Sequence, residues 1–225
     1  HRTNDTSDML MFNAEEAGIV VKFEKKDTPQ KVNIKLFRQG PKDIRLNDTK
    51  ISQKELIGTL NTVIFCPEDL QLIKGTPSGR RRFLDMEISQ TSATYYHQLM
   101  QYNRLLQQRN TILKEYRGKQ NIPLEEWDLQ LADMASFIVK KRLESLKKIN
   151  LLIDLMNRKL TGGLENLTIG YEQPYMDNGS LEFTKEGFYE RIKAALPQDR
   201  HRMTTSVGPH RDDLRFFSDA MDLKK

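Results

Sequence analysis

The feature that most constrains the fold is a long helical pattern without an internal breaker. After Pro123, apolar residues recur at three- and four-residue steps until Gly162-Gly163, and no proline or glycine interrupts them. This spacing predicts one amphipathic helix, whose ~37 residues would extend about 55 Å at about 1.5 Å per residue. Its apolar stripe consists of Leu124, Trp127, Leu131, Met134, Ile138, Leu146, Ile149, Ile153, Met156 and Leu160.

A second helix precedes it, so the sequence predicts a helical hairpin. The same period recurs at Leu99, Tyr102, Leu106, Leu113 and Tyr116, and residues 117–121 break the pattern. Two long helices with so short a link are predicted to pack antiparallel as an arm. Arg109 falls within the apolar seam. A long cationic side chain there must reach solvent or find a carboxylate, so its predicted role is structural.

Alternating apolar and polar residues predict strands on both sides of the arm. Before the arm, strands are predicted at 19–23, 32–37, 44–46 and 63–66, with a helix at 51–60 capped by Ser52. After it, strands are predicted at 167–171, 203–207 and 214–217, with a helix at 183–196 capped by Thr184. The predicted fold class is therefore mixed α and β. We expect a mostly β body from residues 1–76 and 161–225, interrupted by a helical arm at 77–160.

Residues 62–90 connect these parts and carry the densest local signals. Pro67 stands where a first helical residue belongs, after the strand-like run, and Thr76 and Pro77 start a second helix. Two helix starts this close predict a hinge, the alternative being an ordinary strand-to-helix connection. Arg80, Arg81 and Arg82 follow, and residues about 100° apart on a helix cannot all face one partner. Asp85 is in position to pair with Arg81 or Arg82. Phosphate contact, which forked guanidinium donors suit, is the alternative.

The charge balance permits a phosphate-bearing partner without requiring one. The chain carries a net charge of +5 from 36 basic and 31 acidic side chains. The run Lys140-Lys141-Arg142, followed by Lys147-Lys148, is either a solvated helix face or a ridge facing DNA. One cysteine excludes an intrachain disulfide and fits a reducing cytosol. Since no apolar run approaches the ~18 residues that a membrane span needs, we expect a cytoplasmic protein without membrane contact.

Four motifs in order resemble one protein family. They are FCPEDLQLIKGTPSGRRRFLD at 65–85, QQRN at 107–110, WDLQLA at 127–132 and GPHRDDL at 208–214. Together they resemble the RecF family of bacterial recombination-repair proteins. The resemblance implies part of an SMC-like ATPase head interrupted by a helical lid. It also implies ATP and Mg²⁺ as cofactors of the parent protein, which forms an ATP-dependent homodimer. Its implied partners are single-stranded and junction DNA, RecO and RecR.

Several motifs that ATP chemistry needs are missing from this sequence. No G-x-x-x-x-G-K-[ST] loop occurs, and residues 75–80 lack the lysine and serine that would meet phosphate and magnesium. A Walker B strand and the family's signature loop are missing too. We therefore expect an internal portion of a RecF-like protein, starting at His1 rather than Met, that neither binds ATP tightly nor hydrolyses it alone.

The resemblance also implies roles for individual residues. Arg2 would reach towards the nucleotide phosphates. Glu68, with Asp69 beside it, would sense the γ-phosphate, although both acids also suit a helix first turn. Pro67 would belong to the hinge.

The GPHRDDL motif is the second candidate site. We interpret His210, Arg211 and Asp212 as a structural turn, with Arg211 pairing with a carboxylate. A metal site from His210, Asp212 and Asp213 is disfavoured because neighbouring residues on a strand point apart, so no metal is predicted.

Three functions remain open. The first is a portion of a DNA-repair ATPase. The second is a protein-interaction module built on the helical hairpin, without DNA binding. The third, disfavoured with its metal site, is a metal-dependent nuclease using His210.

Overall fold

A computed structural model describes residues 5, 7–118, 122–175 and 183–224, apart from the side chain of Glu68. The chain divides into two compact units, His1–Asn61 and Thr62–Lys225. Both strands and helices are present, so the predicted mixed α and β class is confirmed. The predicted division into 1–76 with 161–225 and 77–160 stays a prediction. Among the described helices, none has the length and apolar character to cross a membrane.

The first unit is an antiparallel meander. Its strands are β1 (Glu16–Lys25), β2 (Thr28–Phe37), β3 (Asp43–Leu46) and β4 (Thr49–Ile51), paired in that order. Two-residue turns at Lys26-Asp27 and Asn47-Asp48 have positive φ at both positions, the geometry that suits tight hairpins. The predicted strands are confirmed. Helix α1 (Gln53–Leu56) begins at the predicted cap Ser52 but is a single turn, and Gly58 follows it with φ +79°.

The second unit is built on helices. After a 3-10 turn at Pro67–Leu70 come α2 (Gln71–Lys74), α3 (Pro77–Thr91), α4 (Ala93–Glu115) and α5 (Glu125–Thr161). The Thr76 hydroxyl accepts from Gly79 N, and Pro77 opens α3, as predicted. Helix α5 has 37 residues and ends at Gly162 in a left-handed conformation, which confirms the long helix.

A three-stranded antiparallel sheet and two short helices complete this unit. The strands are β5 (Leu167–Glu172), β6 (Asp213–Ser218) and β7 (Met221–Asp222), and the helices are α6 (Lys185–Ala194) and α7 (Leu196–Arg202). The amino-terminal half of α5 lies in the core, where Leu131, Ala135 and Ile138 are at most 1% exposed. The core also includes Leu84, Tyr95, Phe188, Ile192 and Leu214. Buried residues of α3, α4 and α5 thus share one core with Leu214 and Phe216 of β6.

Two strand predictions about this unit are wrong. Residues 63–66 form no strand, and Val63 is 97% exposed, because no strand in the described part of the chain pairs with them. Residues 203–207 form a loop, because side chains occupy backbone groups that a strand would have paired. The apolar stripe of α5 is exposed towards its carboxyl end, where Met156 and Leu160 are 53% and 86% exposed.

Candidate functional site at the helix junction

Three buried arginines hold the helices of the second unit against one loop. The loop covers residues 203–212 and contains most of the GPHRDDL motif. Arg80 of α3, Arg109 of α4 and Arg142 of α5 are each at most 2% exposed. We call these arginines, with the carboxylates that they contact, the arginine junction.

Arg80 ties the start of α3 to the start of β6. Its Nε and Nη2 each donate to one oxygen of Asp213 over 2.7 Å, and Nη1 donates to the Gly75 carbonyl over 2.8 Å. A bidentate pair of this kind fixes orientation as well as distance. Next to it, Arg81 Nη1 donates to the carbonyl of Asp212 over 2.6 Å. Arg80 and Arg81 therefore both hold the end of the loop.

Arg142 joins α5 to α3, β5 and the loop. Its Nε and Nη2 donate to the two oxygens of Asp85, each over 2.9 Å. Its Nη1 donates to the Pro209 carbonyl over 2.7 Å and to the Tyr171 hydroxyl over 3.1 Å. The predicted pairing of Arg81 or Arg82 with Asp85 is therefore wrong. Asp85 pairs with the buried guanidinium of Arg142 instead of an arginine one turn away, because Arg142 donates to both of its carboxylate oxygens.

Arg109 connects α4 to α5, α7 and the loop. Its Nε donates to Asp128 over 2.6 Å, and its Nη1 donates to Asp199 over 2.7 Å and to the Thr205 hydroxyl over 3.0 Å. The neighbouring Asn110 accepts from the backbone N–H of Thr205 over 2.8 Å. The predicted structural role of Arg109, with a carboxylate partner, is confirmed. The QQRN and WDLQLA motifs meet in this contact, because they contain Arg109 and Asp128.

His210 is held in one neutral tautomer. Its Nε2 lies 3.0 Å from the Thr205 carbonyl, and its Nδ1 lies 2.6 Å from the Tyr102 hydroxyl. Because a carbonyl oxygen only accepts, Nε2 carries the proton and Nδ1 accepts from Tyr102. Burial, with smaller contributions from nearby arginines, lowers the pKa of His210 to about 4. Gly208 precedes it with φ +132°, and a Cβ there would overlap the Tyr102 hydroxyl.

The two aspartates of the motif point to different partners. Asp213 pairs with Arg80, whereas Asp212 accepts from the Tyr171 hydroxyl and lies 3.7 Å from Arg142. Burial raises the pKa of Asp212 to about 6, against the charge of Arg142, which lowers it. Among the described residues, none donates to Asp212 Oδ1. This divergence agrees with the argument against a shared metal ion. In the described part of the chain, no three His, Cys, Asp or Glu side chains are grouped to hold a metal.

The predicted pairing of Arg211 with a carboxylate is wrong. Arg211 Nε and Nη2 donate to the Thr205 carbonyl over 3.0 and 2.7 Å, and Nη2 also donates to the Thr204 hydroxyl. Among the described residues no carboxylate pairs with Arg211, because the chain doubles back between residues 205 and 211 and brings the Thr205 carbonyl to it. Arg211 therefore stabilises the loop from its exposed side.

The remaining predicted site residues are dispersed. Asp69 Oδ2 accepts from Cys66 N over 2.7 Å, and Pro67 opens the 3-10 turn, so both shape the start of that turn. Arg2 and the side chain of Glu68 lie outside the residues that the structure describes. Among the DNA candidates, Arg82 and Lys140 are exposed, and Lys141 is partly exposed and pairs with Glu144 over 2.7 Å. Arg80 and Arg142 are buried in the arginine junction, which fits a structural role.

The arginine junction has a structural role: it positions the helices. Its charged side chains are buried against one another, so they fix how α3, α4 and α5 meet β5 and β6. The sequence singled out Arg80, Arg109, Arg142 and Asp212, but it gave no sign that they form one cluster. Asp199, which is fully buried, was missed altogether. Its only signal is its place in the first turn of α7.

Known proteins resemble this chain in sequence and in fold. No protein-family model matches the chain. The chain is 40% identical over 226 residues to the DNA replication and repair protein RecF of Clostridium botulinum strain Eklund 17B. The alignment covers 100% of this chain and 62% of that protein. The chain is also 39% identical over 226 residues to the protein of the same name from Alkaliphilus oremlandii, covering 99% of this chain and 62% of that protein.

A solved structure, of the recombination mediator protein RecF with ATP in the RecFOR pathway, has the same fold. It superposes with a TM-score of 0.88 at 30% identity, covering 99% of this chain and 61% of that one. The chain therefore spans about three fifths of the length of the relatives that it matches.

Proposed function

This chain belongs to the RecF family, and from that premise we propose that it forms the DNA-contacting part of a DNA replication and repair protein. The observation that carries the proposal is the 40% identity that extends along 100% of the chain. The longer protein would bind ATP with Mg²⁺, form an ATP-dependent homodimer and act in the cytoplasm. It would act with RecO and RecR on single-stranded and gapped or junction DNA.

We place the DNA contact on the exposed basic residues of α3 and α5. Arg82 and Lys140 are exposed, and Lys141 is partly exposed. Further along α5, Lys147 and Lys148 are exposed as well. Basic side chains that reach solvent can neutralise DNA phosphates, whereas arginines already committed to buried carboxylates cannot do so without breaking the core. The arginine junction would then hold α3 and α5 in the orientation that DNA meets.

The test is binding to a labelled single-strand/double-strand junction across a salt titration, without ATP. We expect affinity to fall steeply with salt, with a log–log slope of about −0.9 for each duplex phosphate contacted. Arg82→Gln and Lys140→Gln should each weaken binding and make that slope shallower. Lys159→Gln is the matched control, because it removes the same charge from the exposed end of α5. Equal DNA binding by Lys140→Gln and the control would show that Lys140 does not contact DNA.

Nucleotide response is proposed for Glu68 from the family resemblance. In a protein with the flanking family segments, Glu68→Gln should slow ATP turnover, because the side chain would no longer respond to the γ-phosphate. Asp69→Asn should leave turnover closer to wild type, since Asp69 engages the backbone of Cys66. Wild-type turnover in Glu68→Gln would contradict the proposal.

A protein-interaction role is the second candidate, and one observation favours it. The last turns of α5 expose Leu151, Leu155 and Leu160, with exposed fractions of 76%, 50% and 86%. Exposed apolar residues spaced along one helix are typical of a protein contact. Salt separates the candidates, since apolar association weakens little between low and moderate salt while phosphate contact weakens strongly.

A further inference from the structure

A cavity beside the 203–212 loop is lined by three arginines. Its volume is about 530 Å³, within the ~300–1,000 Å³ that small-molecule sites occupy. Arg191 comes from α6, Arg202 from the last residue of α7, and Arg211 from the loop. Three separate segments of the chain thus each contribute an arginine to the wall of one space.

The described lining of this cavity is basic. Among the described residues that line the cavity, none is an aspartate or a glutamate. Asp199, on the neighbouring turn of α7, is committed elsewhere. One of its oxygens accepts from Arg109, and the other accepts from the backbone N–H of Ser206 over 2.9 Å. The described part of the lining therefore carries arginines and no acidic side chain.

Two of the arginines are held in place by neutral groups. Arg211 is anchored by the Thr205 carbonyl over 2.7 Å. The Gln198 amide faces Arg202, and when its oxygen is assigned to the side that faces Arg202, that oxygen accepts from both Nη atoms over 3.2 Å. Neutral acceptors orient a guanidinium without cancelling its charge. The site is thus partly arranged before any ligand arrives.

The number of arginines favours a phosphate over a carboxylate. Elsewhere in this protein, one guanidinium satisfies one carboxylate, as in Arg80 with Asp213 and Arg142 with Asp85. Three guanidinium groups around one space match an anion with more oxygens, and the planar fork suits phosphate. The wall also includes Tyr175, Pro174 and Val207, which leaves apolar surface for the group that carries the phosphate.

We propose that this cavity is a phosphate-binding site for a nucleotide or for a phosphate of a nucleic-acid strand. Its residues lie on α6, α7 and the loop, and none belongs to the proposed DNA surface at Arg82, Lys140 and Lys141. A failure of the proposed DNA surface would therefore not contradict the proposed phosphate site, and the reverse also holds.

The test is a titration of the isotope-labelled 225-residue chain followed by backbone amide resonances. The probes are inorganic phosphate, deoxyadenosine monophosphate and an oligonucleotide without terminal phosphates. We expect saturable shifts at the residues that line the cavity. Preference for the mononucleotide would identify a small ligand, and preference for the oligonucleotide would identify a strand phosphate. No saturable shift with any of the three probes overturns the proposal.

Variants connect the shifts to the arginines. Arg202→Gln should weaken phosphate binding roughly tenfold, because it removes one charge-assisted contact and leaves the anchor of Arg211 intact. Lys193→Gln is the control, since it removes one charge from exposed α6 without lining the cavity. Equal loss in both variants would mean general electrostatics and would overturn the site. A hexaglutamate peptide that shifts these residues, where phosphate probes do not, would show a carboxylate-bearing protein partner instead.

Discussion

Replacing Arg142 with methionine tests whether the arginine junction is structural. The change removes five donated hydrogen bonds while keeping a long apolar side chain at a site that is 2% exposed. Their acceptors lie on Asp85, Tyr95, Pro209 and Tyr171. Asp85 would keep its hydrogen bond from the Tyr95 hydroxyl but lose its counter-charge. Removing one partner of a buried ion pair costs about 3–5 kcal/mol, because the other charge stays buried.

The assay is urea unfolding followed by the fluorescence of Trp127. This residue is the chain's one tryptophan and lies in α5, so the signal reports the second unit. With an m-value of about 2 kcal/mol per molar urea, a loss of about 4 kcal/mol lowers the midpoint by about 2 M. Asp85→Leu combined with Arg142→Met should recover part of the loss, since Asp85 no longer leaves a buried charge without a partner, while Asp212 still loses its contact with Arg142.

Lys141→Met is the matched control. Its side chain is 40% exposed, and its pair with Glu144 lies at the surface, so we expect a change within about 0.5 kcal/mol. Equal stability of the two single variants would refute the reasoning. Weaker DNA binding by Arg142→Met at unchanged stability would instead restore Arg142 as a DNA contact.

Three further predictions concern the loop and the caps. The pKa of His210 is about 4 when folded against about 6.5 when unfolded, so its neutral form contributes stability above pH 6.5 that is lost as the pH falls towards 4. His210→Gln should therefore show a flatter decline of unfolding free energy over that range, and an unchanged decline would assign it to other groups. Gly208→Ala should lower stability by about 2 kcal/mol or more, because φ +132° strains an L-residue and its Cβ meets Tyr102; an unchanged melting temperature would contradict this. Thr76→Ala should cost about 1 kcal/mol by removing the cap of α3, whereas Ser78→Ala, beside it and exposed, should cost less in the same melts.

Much of the fold could be predicted because its signals are local. Helix starts at Ser52, Thr76 and Thr184 are encoded within four residues, and each forms as expected. The 37-residue helix follows from a long apolar period that ends at Gly162. Strand 63–66 failed for the opposite reason. The apolar composition of a segment shows that it is able to join a sheet. Whether it does so depends on a partner strand from another part of the chain, which the segment's own sequence does not reveal.

The candidate site was found but misread. The motifs and charged runs in the sequence pointed to Arg80, Arg142 and His210. Their contacts could not be predicted, because the partner residues lie in distant segments of the chain. A local interpretation assigned Asp85 to Arg81 or Arg82, and its real partner lies 57 residues further along. The cationic cavity had a weak local signal in the basic last turn of α7, Arg200-His201-Arg202, which the sequence analysis did not use.

The long-range nature of the junction has a consequence for how the protein is made. Arg80 and Asp213 are 133 residues apart, and Arg109 is 90 residues from Asp199. Helices α3, α4 and α5 therefore leave the ribosome well before the late partners of their buried arginines. These partners are Asp199, Asp213 and the Pro209 carbonyl. Until residues 199–213 have been synthesised, these arginines stay hydrated, and the helices cannot pack fully around them. The loop is synthesised late, yet native packing waits for it, so amide exchange in the loop should slow together with that of α4 and α5, as one cooperative step.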